Sequence, residues 1–242
     1  MPSKWDVAFD TTDRDVRSVM ETASAIEPQI RIGYSTQSVP AAVAAELWAL
    51  IGHDQAGLAL TFISNHYDRD TLADDLRREF GTVPIIGCTT AGEIGPQGYM
   101  EGGVSGLTLG RNDLIYEIGL IRDVSRLDPK CGQTFAYGLR QRLARRVPQF
   151  DPSGCFALLL IDGLCTREES VARAIHDGLG GIPMVGGSAG DGLNFHQTAV
   201  LYDGRFHRDA AVLLVAATPH PFTDFKTQHF ISGRLTFLVV HE

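Results

Sequence analysis

Several features that define common classes of protein are missing from this sequence. No long run of lysine and arginine is present to bind nucleic acid or an anionic membrane surface, and the formal net charge is −8. No stretch of about 18 apolar residues could cross a membrane, and the N-terminus lacks the basic-then-apolar pattern of a secretory signal. We therefore expect a cytoplasmic protein whose partners are small molecules or proteins, with no nucleic acid and no membrane among them.

Cysteine and histidine are present without the spacing of metal or redox motifs. The four cysteines form no CxxC pair, and the eight histidines form no HxH, HxxH or HxxxH pair. This spacing gives no support for a zinc ribbon, a thioredoxin-like motif or a local multi-histidine site. Cys88 stands apart because it lies in a glycine-rich stretch, where an inert buried thiol and a reactive nucleophile are both open interpretations.

That glycine-rich stretch occurs twice, at residues 83–95 and 183–191, each time after short apolar runs. Both copies continue into glycines, small hydroxyl residues and a carboxylate. Because α/β sheets bind ligands beyond the carboxyl ends of their strands, we predict that both copies are loops that share one ligand-binding cleft. The predicted ligand-binding residues are Gly87, Cys88, Thr89, Thr90, Gly92, Glu93, Gly187, Ser188 and Asp191.

The segments around the two copies repeat as well. Apolar strands at residues 58–64 and 156–162 each end in a polar residue, and each leads into a helical segment and then into one glycine-rich copy. This order predicts an α/β fold of two similar halves, an internal duplication with mixed sheets flanked by helices. The predicted division is an N-terminal arm at 1–29, halves at about 30–147 and 153–230, and a tail at 231–242.

Turn signals predict two β-hairpins. One joins strands at 104–109 and 114–120 through the polar turn 111–113. The other joins residues 194–203 to residues 205–217 through an Asp-Gly turn.

The chemistry of the predicted cleft admits more than one interpretation. Glu93 and Asp191 would do acid/base work if they lay close together with one pKa raised, and are otherwise solvated loop carboxylates. No HExxH, GxxxxGK[ST] or GxGxxG motif occurs in the chain to specify a reaction or a phosphate site. The alternative to a binding module is an enzyme that uses Cys88, or the hydroxyls of Thr89 and Ser188, on a small substrate.

The segment at residues 219–230 is aromatic, stiffened by proline and contains His229. Phe222 and Phe225 precede this histidine and Phe230 follows it. An imidazole among aromatic rings can serve as the axial ligand of haem iron. A structural histidine is the other interpretation of the same residues.

Taken together, these motifs resemble the N-terminal FIST domain. The resemblance rests on residues 58–68, on the string Gly-Cys-Thr-Thr-Ala-Gly-Glu at residues 87–93 and on residues 186–191, and it spans about residues 30–230. It implies an intracellular sensory domain that binds a small ligand in bacterial signal transduction and is not an enzyme.

The ending Phe-Lys-Thr-Gln-His-Phe at residues 225–230 further resembles the FIST branch that binds haem and senses nitric oxide. That resemblance implies haem as a cofactor with His229 as its axial ligand. It also implies a histidine kinase or another signalling protein as partner. A homo-oligomer is left open, because the sequence alone does not give the oligomeric state. Residues 231–242 depart from the expected continuation into a C-terminal FIST domain, so we treat them as a divergent or truncated tail.

Overall fold

The computed structural model describes residues 27–147, 149–192 and 194–225. Most of the predicted arm, His229 and the predicted tail lie outside the described residues. The elements in chain order are β1 (Ile30–Ser35), α1 (Pro40–Ile51), β2 (Ala56–Ser64), α2 (Arg69–Phe80), β3 (Ile85–Thr90), β4 (Glu93–Gly95), β5 (Gly98–Met100), β6 (Val104–Gly110), β7 (Ile115–Arg122), α3 (Pro129–Arg146), β8 (Cys155–Asp162), α4 (Glu168–Leu179), β9 (Met184–Ala189), β10 (Val200–Tyr202), β11 (Arg205–His207) and β12 (Ala210–Ala217).

Helix boundaries follow from capping residues in the sequence. Asp68 precedes α2 and its carboxylate accepts a hydrogen bond from the N–H of Thr71 at 2.9 Å. Asp128 precedes α3 in the same way and accepts from the N–H of Lys130 at 2.7 Å. Gly81 ends α2 with a φ of 59°, a conformation that glycine adopts without strain. None of the helices in the described ranges combines the length and apolar composition that crossing a membrane requires.

The strands form two larger sheets that pack face to face, with helices on the outer side of each. The first sheet has the order β1-β6-β2-β3-β10-β11 and the second has the order β7-β12-β8-β9. Apolar side chains such as Leu60, Ile86 and Val212 fill the layer between the sheets. Helices α1 and α2 cover the first sheet, and α3 and α4 cover the second. Strands buried on both faces explain the continuous apolar runs in the sequence.

The two sheets share one topology. In the first, β6 runs antiparallel to β2, and β2 runs parallel to β3 across α2. In the second, β12 runs antiparallel to β8, and β8 runs parallel to β9 across α4. β1 and β7 complete the match, because each runs antiparallel to the next strand of its own sheet, β6 and β12 respectively. The predicted α/β class with two similar halves is confirmed.

The first repeat ends with β6 and the second begins with β7, so the boundary between them lies at residues 111–114. The predicted halves at 30–147 and 153–230 place this boundary too late in the chain. β7 pairs with β12, and α3 packs on the second sheet, although both precede residue 147. The predicted hairpin at 104–120 is therefore wrong, because β6 pairs with β1 and β2 instead of β7. A polar turn reverses the chain locally, but the apolar faces decide which sheet the next strand joins.

The second predicted hairpin is correct at its turn and wrong in its length. Asp203 and Gly204 both have positive φ, 51° and 67°, as a two-residue hairpin turn requires. They join β10 to β11 over only three residue pairs. β12 leaves the hairpin and lies inside the second sheet, where all eight of its residues are buried.

The predicted glycine loops begin inside strands. Residues Gly87 to Thr90 belong to β3, and Gly187 and Ser188 belong to β9. Gly87 lies beside Thr61 of the parallel neighbour β2, and a Cβ there would overlap the Thr61 carbonyl oxygen. The glycine allows two strands to approach closely, so it marks strand packing and not the start of a loop.

Candidate functional site

The carboxyl ends of the parallel strands of both repeats meet at one end of the molecule. The N–H of Gly190, just after β9, donates to the carbonyl of Thr89 in β3 at 2.9 Å. The side-chain amide of Asn65, just after β2, donates to the carbonyl of Asp191 at 2.8 Å. The two glycine-rich copies therefore lie side by side at this end.

A cavity of about 340 Å³ opens where these ends meet. Its volume falls within the range of about 300–1,000 Å³ that is usual for small-molecule sites. We call it the junction pocket, and it is lined by Asn65, His66, Asp191, Asn194, His196 and Gln197.

Asp191 shapes the loop that forms one wall of the junction pocket. Its side chain is buried, and its two carboxylate oxygens accept hydrogen bonds from the N–H groups of Phe195, His196 and Gln197 at 2.7–3.0 Å. Burial acts to raise the pKa of Asp191, but the three N–H donors, led by Gln197, lower it below its ordinary value. Asp191 is thus an ionised anchor for the loop, with its charge already satisfied.

Two arginines donate hydrogen bonds to the same loop. Arg69 donates to the carbonyl oxygen of Gln197 and, at 3.1 Å, to its side-chain oxygen. Arg208 donates to the carbonyl of His196 at 2.9 Å. Burial lowers the pKa of the Arg69 guanidinium, and the nearby charge of Arg208 lowers it further. Both guanidinium groups therefore hold in place the loop that forms this wall of the pocket.

His66 stands on the opposite wall. Its Nδ1 lies 3.0 Å from the hydroxyl of Ser64, the last residue of β2. Its ring lies 4.0 Å from the ring of Tyr67, which is buried and donates to the carbonyl of Gln37 at 2.7 Å. With Nδ1 engaged, Nε2 is the nitrogen of His66 that can meet a ligand.

A comparison with protein-family models matches the FIST N domain over residues 57–240. This chain belongs to the FIST N domain family. The match covers most of the chain and includes both walls of the junction pocket. Domains of this family are sensory modules of signal transduction that bind small ligands, and they are sensory rather than catalytic. No curated protein matches the chain.

Three of the predicted site residues have structural partners in this FIST N domain. Thr89 is fully buried, and its hydroxyl accepts a hydrogen bond from the N–H of Ala199 at 3.0 Å. Thr90 donates to Glu93, whose other carboxylate oxygen accepts from the N–H of Gly103 at 3.1 Å. Glu93 is only 1% exposed, so it is not the solvated carboxylate that one interpretation expected. None of the three lines the junction pocket.

The predicted glycines and Ser188 are also separate from the junction pocket. Gly92 has a φ of 153°, which residues other than glycine rarely adopt, and it lies against the ring of Tyr99. Gly187 and Ser188 are exposed on β9, and Ser188 lines a different cavity beside α4. Of the predicted residues, Asp191 alone lines the junction pocket in the described part of the chain.

The surroundings of Ser188 do not favour a nucleophile. Residues Gly186 to Gly190 fit the GxSxG pattern, which in hydrolases places the serine on a sharp turn from strand to helix. Here Ser188 lies within β9, and no described histidine is hydrogen-bonded to it. The pattern marks close packing of strands, because a Cβ at Gly186 would overlap the carbonyl of Leu159 in β8.

Cys88 is expected to react slowly with thiol reagents in the folded domain. It is buried between the sheets, and burial raises the pKa of its thiol to about 12. Cys131 is exposed on α3 and serves as the internal control. Mass spectrometry after brief maleimide treatment should find Cys131 labelled and Cys88 labelled only after unfolding. Rapid labelling of Cys88 in the native protein would instead support the alternative that the protein is an enzyme that uses this thiol.

Five of the six residues that line the junction pocket were not predicted from the sequence. One signal was available, because Asn65 and His66 directly follow an apolar parallel strand. Asn194, His196 and Gln197 do not directly follow such a strand, and they are held at the pocket by hydrogen bonds to Asp191, Arg69 and Arg208. Within the described ranges, no group of three histidine, cysteine or acidic residues is placed to hold a metal ion.

Proposed function

We propose that this FIST N domain senses a small polar molecule that binds in the junction pocket. The observation that carries this proposal is the hydrogen bond from Asn65 to Asp191, which joins a loop of the first repeat to a loop of the second at the cavity. A ligand in this pocket contacts both repeats. Its binding therefore favours the arrangement of the two loops that it fits best, which is what a sensor must report.

The lining of the pocket indicates the chemistry of the ligand. Asp191 is satisfied by backbone donors, and Arg69 and Arg208 are bonded to loop oxygens. Recognition is therefore left to the amides of Asn194 and Gln197 and to the imidazoles of His66 and His196. Such groups offer donors and acceptors together. They suit a compact molecule with several hydrogen-bonding groups rather than an apolar or highly charged one.

A thermal-shift screen of the full chain against a panel of small polar metabolites tests this proposal. A compound present at 100 times its Kd stabilises the folded state by about 2.7 kcal/mol, which gives a measurable rise in Tm. We expect His66→Ala and Gln197→Ala to abolish the shift, because each removes a pocket side chain. His176→Ala, on the exposed side of α4, should keep it. A compound whose shift survives both pocket variants binds elsewhere, and the proposal then fails.

We propose a histidine kinase or another signalling protein as the partner that receives the signal. The support is the role of the family in signal transduction, together with a cavity formed by both repeats. Purified candidate kinases can be assayed for autophosphorylation with and without the domain. A partner should respond to the wild-type domain and should lose its response to the bound compound when His66→Ala is used.

Haem binding through His229 is a separate proposal, which rests on the resemblance of residues 225–230. Haem titration should give a Soret band with wild type and a shifted or absent band with His229→Ala, while His176→Ala should behave as wild type. Because neutral imidazole binds the iron, affinity should fall as the pH drops through the usual histidine pKa of about 6.5. An unchanged spectrum in His229→Ala would assign the iron to another residue.

A further inference from the structure

The two repeats differ at one edge. In the first sheet β3 is an inner strand, because β10 pairs with it in the antiparallel direction. In the second sheet the equivalent strand, β9, is at the edge and has no further partner among the described residues. An open strand edge is a template for another strand, and natural proteins usually cover it.

The match between β3 and β9 extends to single hydrogen bonds. The N–H of Ala59 donates to Pro84, and the N–H of the equivalent Ala157 donates to Pro183. On the side of β3 that faces away from β2, the N–H of Thr89 donates to the carbonyl of Ala199 at 2.9 Å. Ser188 holds the position of Thr89 in β9. Successive N–H groups of a strand point alternately to its two sides. Those of Met184, Gly186 and Ser188 therefore point away from β8, towards the open edge.

An apolar groove runs along this edge on the side of α4. Its volume is about 290 Å³, and its apolar lining residues are Leu159, Ile161, Ala172, Met184 and Val185. In the first repeat, Leu201 of β10 and Phe206 of β11 fill the corresponding space against α2. The groove therefore fits a strand that directs large apolar side chains towards the helix.

Two carboxylates mark one end of the groove. Glu168 and Glu169 begin α4 and line the groove together with Ser188, at the carboxyl end of β9. A second copy of β9 would bring the same acidic groups to the interface without supplying a cation from its own edge. The charge therefore favours an incoming strand with a basic residue at this end.

We propose that residues 235–240 of this chain bind the open edge of β9 as an added strand, antiparallel to β9, with Arg234 beside Glu168 and Glu169. This segment reads Leu-Thr-Phe-Leu-Val-Val, and Arg234 directly precedes it. Its apolar residues suit a position covered on both faces, as β10 is covered in the first repeat. The antiparallel direction places Arg234 at the acidic end.

The position of the last described residues allows this arrangement. The N–H of Thr218 donates to Gly154 at 3.0 Å, and the ring of Phe222 lies 5.4 Å from that of Phe156. Up to Phe222 the chain thus lies at the end where β8 and β9 begin, and Phe225 follows three residues later. Residues 226–234, when extended, span about 30 Å. The six residues of β9 span about 20 Å, so Arg234 can reach the opposite end.

Hydrogen exchange of the full chain tests this proposal. In wild type the N–H groups of Gly186 and Ser188 should exchange slowly, because they donate to the added strand. Arg234→Glu and Phe237→Asp should each accelerate their exchange at least tenfold. The N–H of Gly187 faces β8 and should change little, which makes it the internal control. Glu168→Arg with Glu169→Arg should restore slow exchange to Arg234→Glu, because the charges are reversed.

Three results would overturn the proposal. The first is fast exchange of Gly186 and Ser188 in wild type. The second is slow exchange that persists in both Arg234→Glu and Phe237→Asp. The third is slow exchange that disappears on dilution together with a dimer seen by light scattering, which would assign the edge to a second copy. The thermal transition of each variant shows whether the rest of the fold is intact. The outcome is independent of the junction pocket, which lies on other residues.

Discussion

Gly186→Ala is expected to lower the free energy of unfolding by about 3 kcal/mol, the upper part of the usual range for overpacking. A Cβ at this position would overlap the backbone carbonyl of Leu159, in the parallel neighbour β8. A backbone atom inside a sheet cannot rotate away, so the two strands must separate. Urea unfolding of the full chain measures the loss.

The adjacent glycine provides the matched control. A Cβ at Gly187 would have no heavy atom within 4 Å, so Gly187→Ala should change stability by no more than about 0.5 kcal/mol. Gly87→Ala should reproduce the large loss in the first repeat, where the collision is with Thr61. Equal effects at Gly186 and Gly187 would mean that the collision is relieved by movement of the β9 edge.

Asp191→Ala is expected to cost about 3 kcal/mol and to abolish ligand binding in the junction pocket. The substitution removes the acceptor of three N–H groups, and each unsatisfied donor costs about 1–3 kcal/mol where water cannot replace the carboxylate. The loop that carries His196 and Gln197 then loses its anchor. Asp177→Ala, on the exposed side of α4, is the control and should be nearly neutral.

The cost of Asp191→Ala should depend on pH in one direction. The pKa of Asp191 in the folded state lies below its ordinary value of 3.8, so the carboxylate contributes its full stabilisation above pH 3.8. That contribution is lost as the pH falls through the lower pKa of the folded state. Urea unfolding should give the same difference from wild type at pH 7 and pH 5 and a smaller one near pH 3. A difference that grows in acid would contradict this assignment.

The sequence was sufficient to predict the fold class, because the evidence for duplication is local. Strand, helix and strand recur in the same order, and Thr89 and Ser188 were correctly placed at equivalent positions. The prediction failed where pairing depends on packing between the sheets. The turn at residues 111–113 looks like a hairpin turn, but it carries the chain from one sheet to the other.

The site was less predictable because its walls come from distant parts of the chain. Asn65 and Asp191 are 126 residues apart in sequence, and they meet because the two sheets pack face to face. Small hydroxyl residues after a glycine suggested ligand contacts at Thr89 and Thr90. In the structure these hydroxyls are paired with Ala199 and Glu93 instead. Local composition singled out these hydroxyl residues, but the groups that they contact in the folded structure determine whether they bind a ligand or stabilise the fold.

The hairpin β10–β11 belongs to the second repeat in sequence, yet it completes the sheet of the first. During synthesis the first repeat ends at Gly110, about 90 residues before this hairpin is made. At about 5–20 residues per second, the ribosome takes on the order of 5–20 s to supply it. For that time the outer edge of β3 lacks its native partner, so the sheet of the first repeat is completed only after this hairpin has been made.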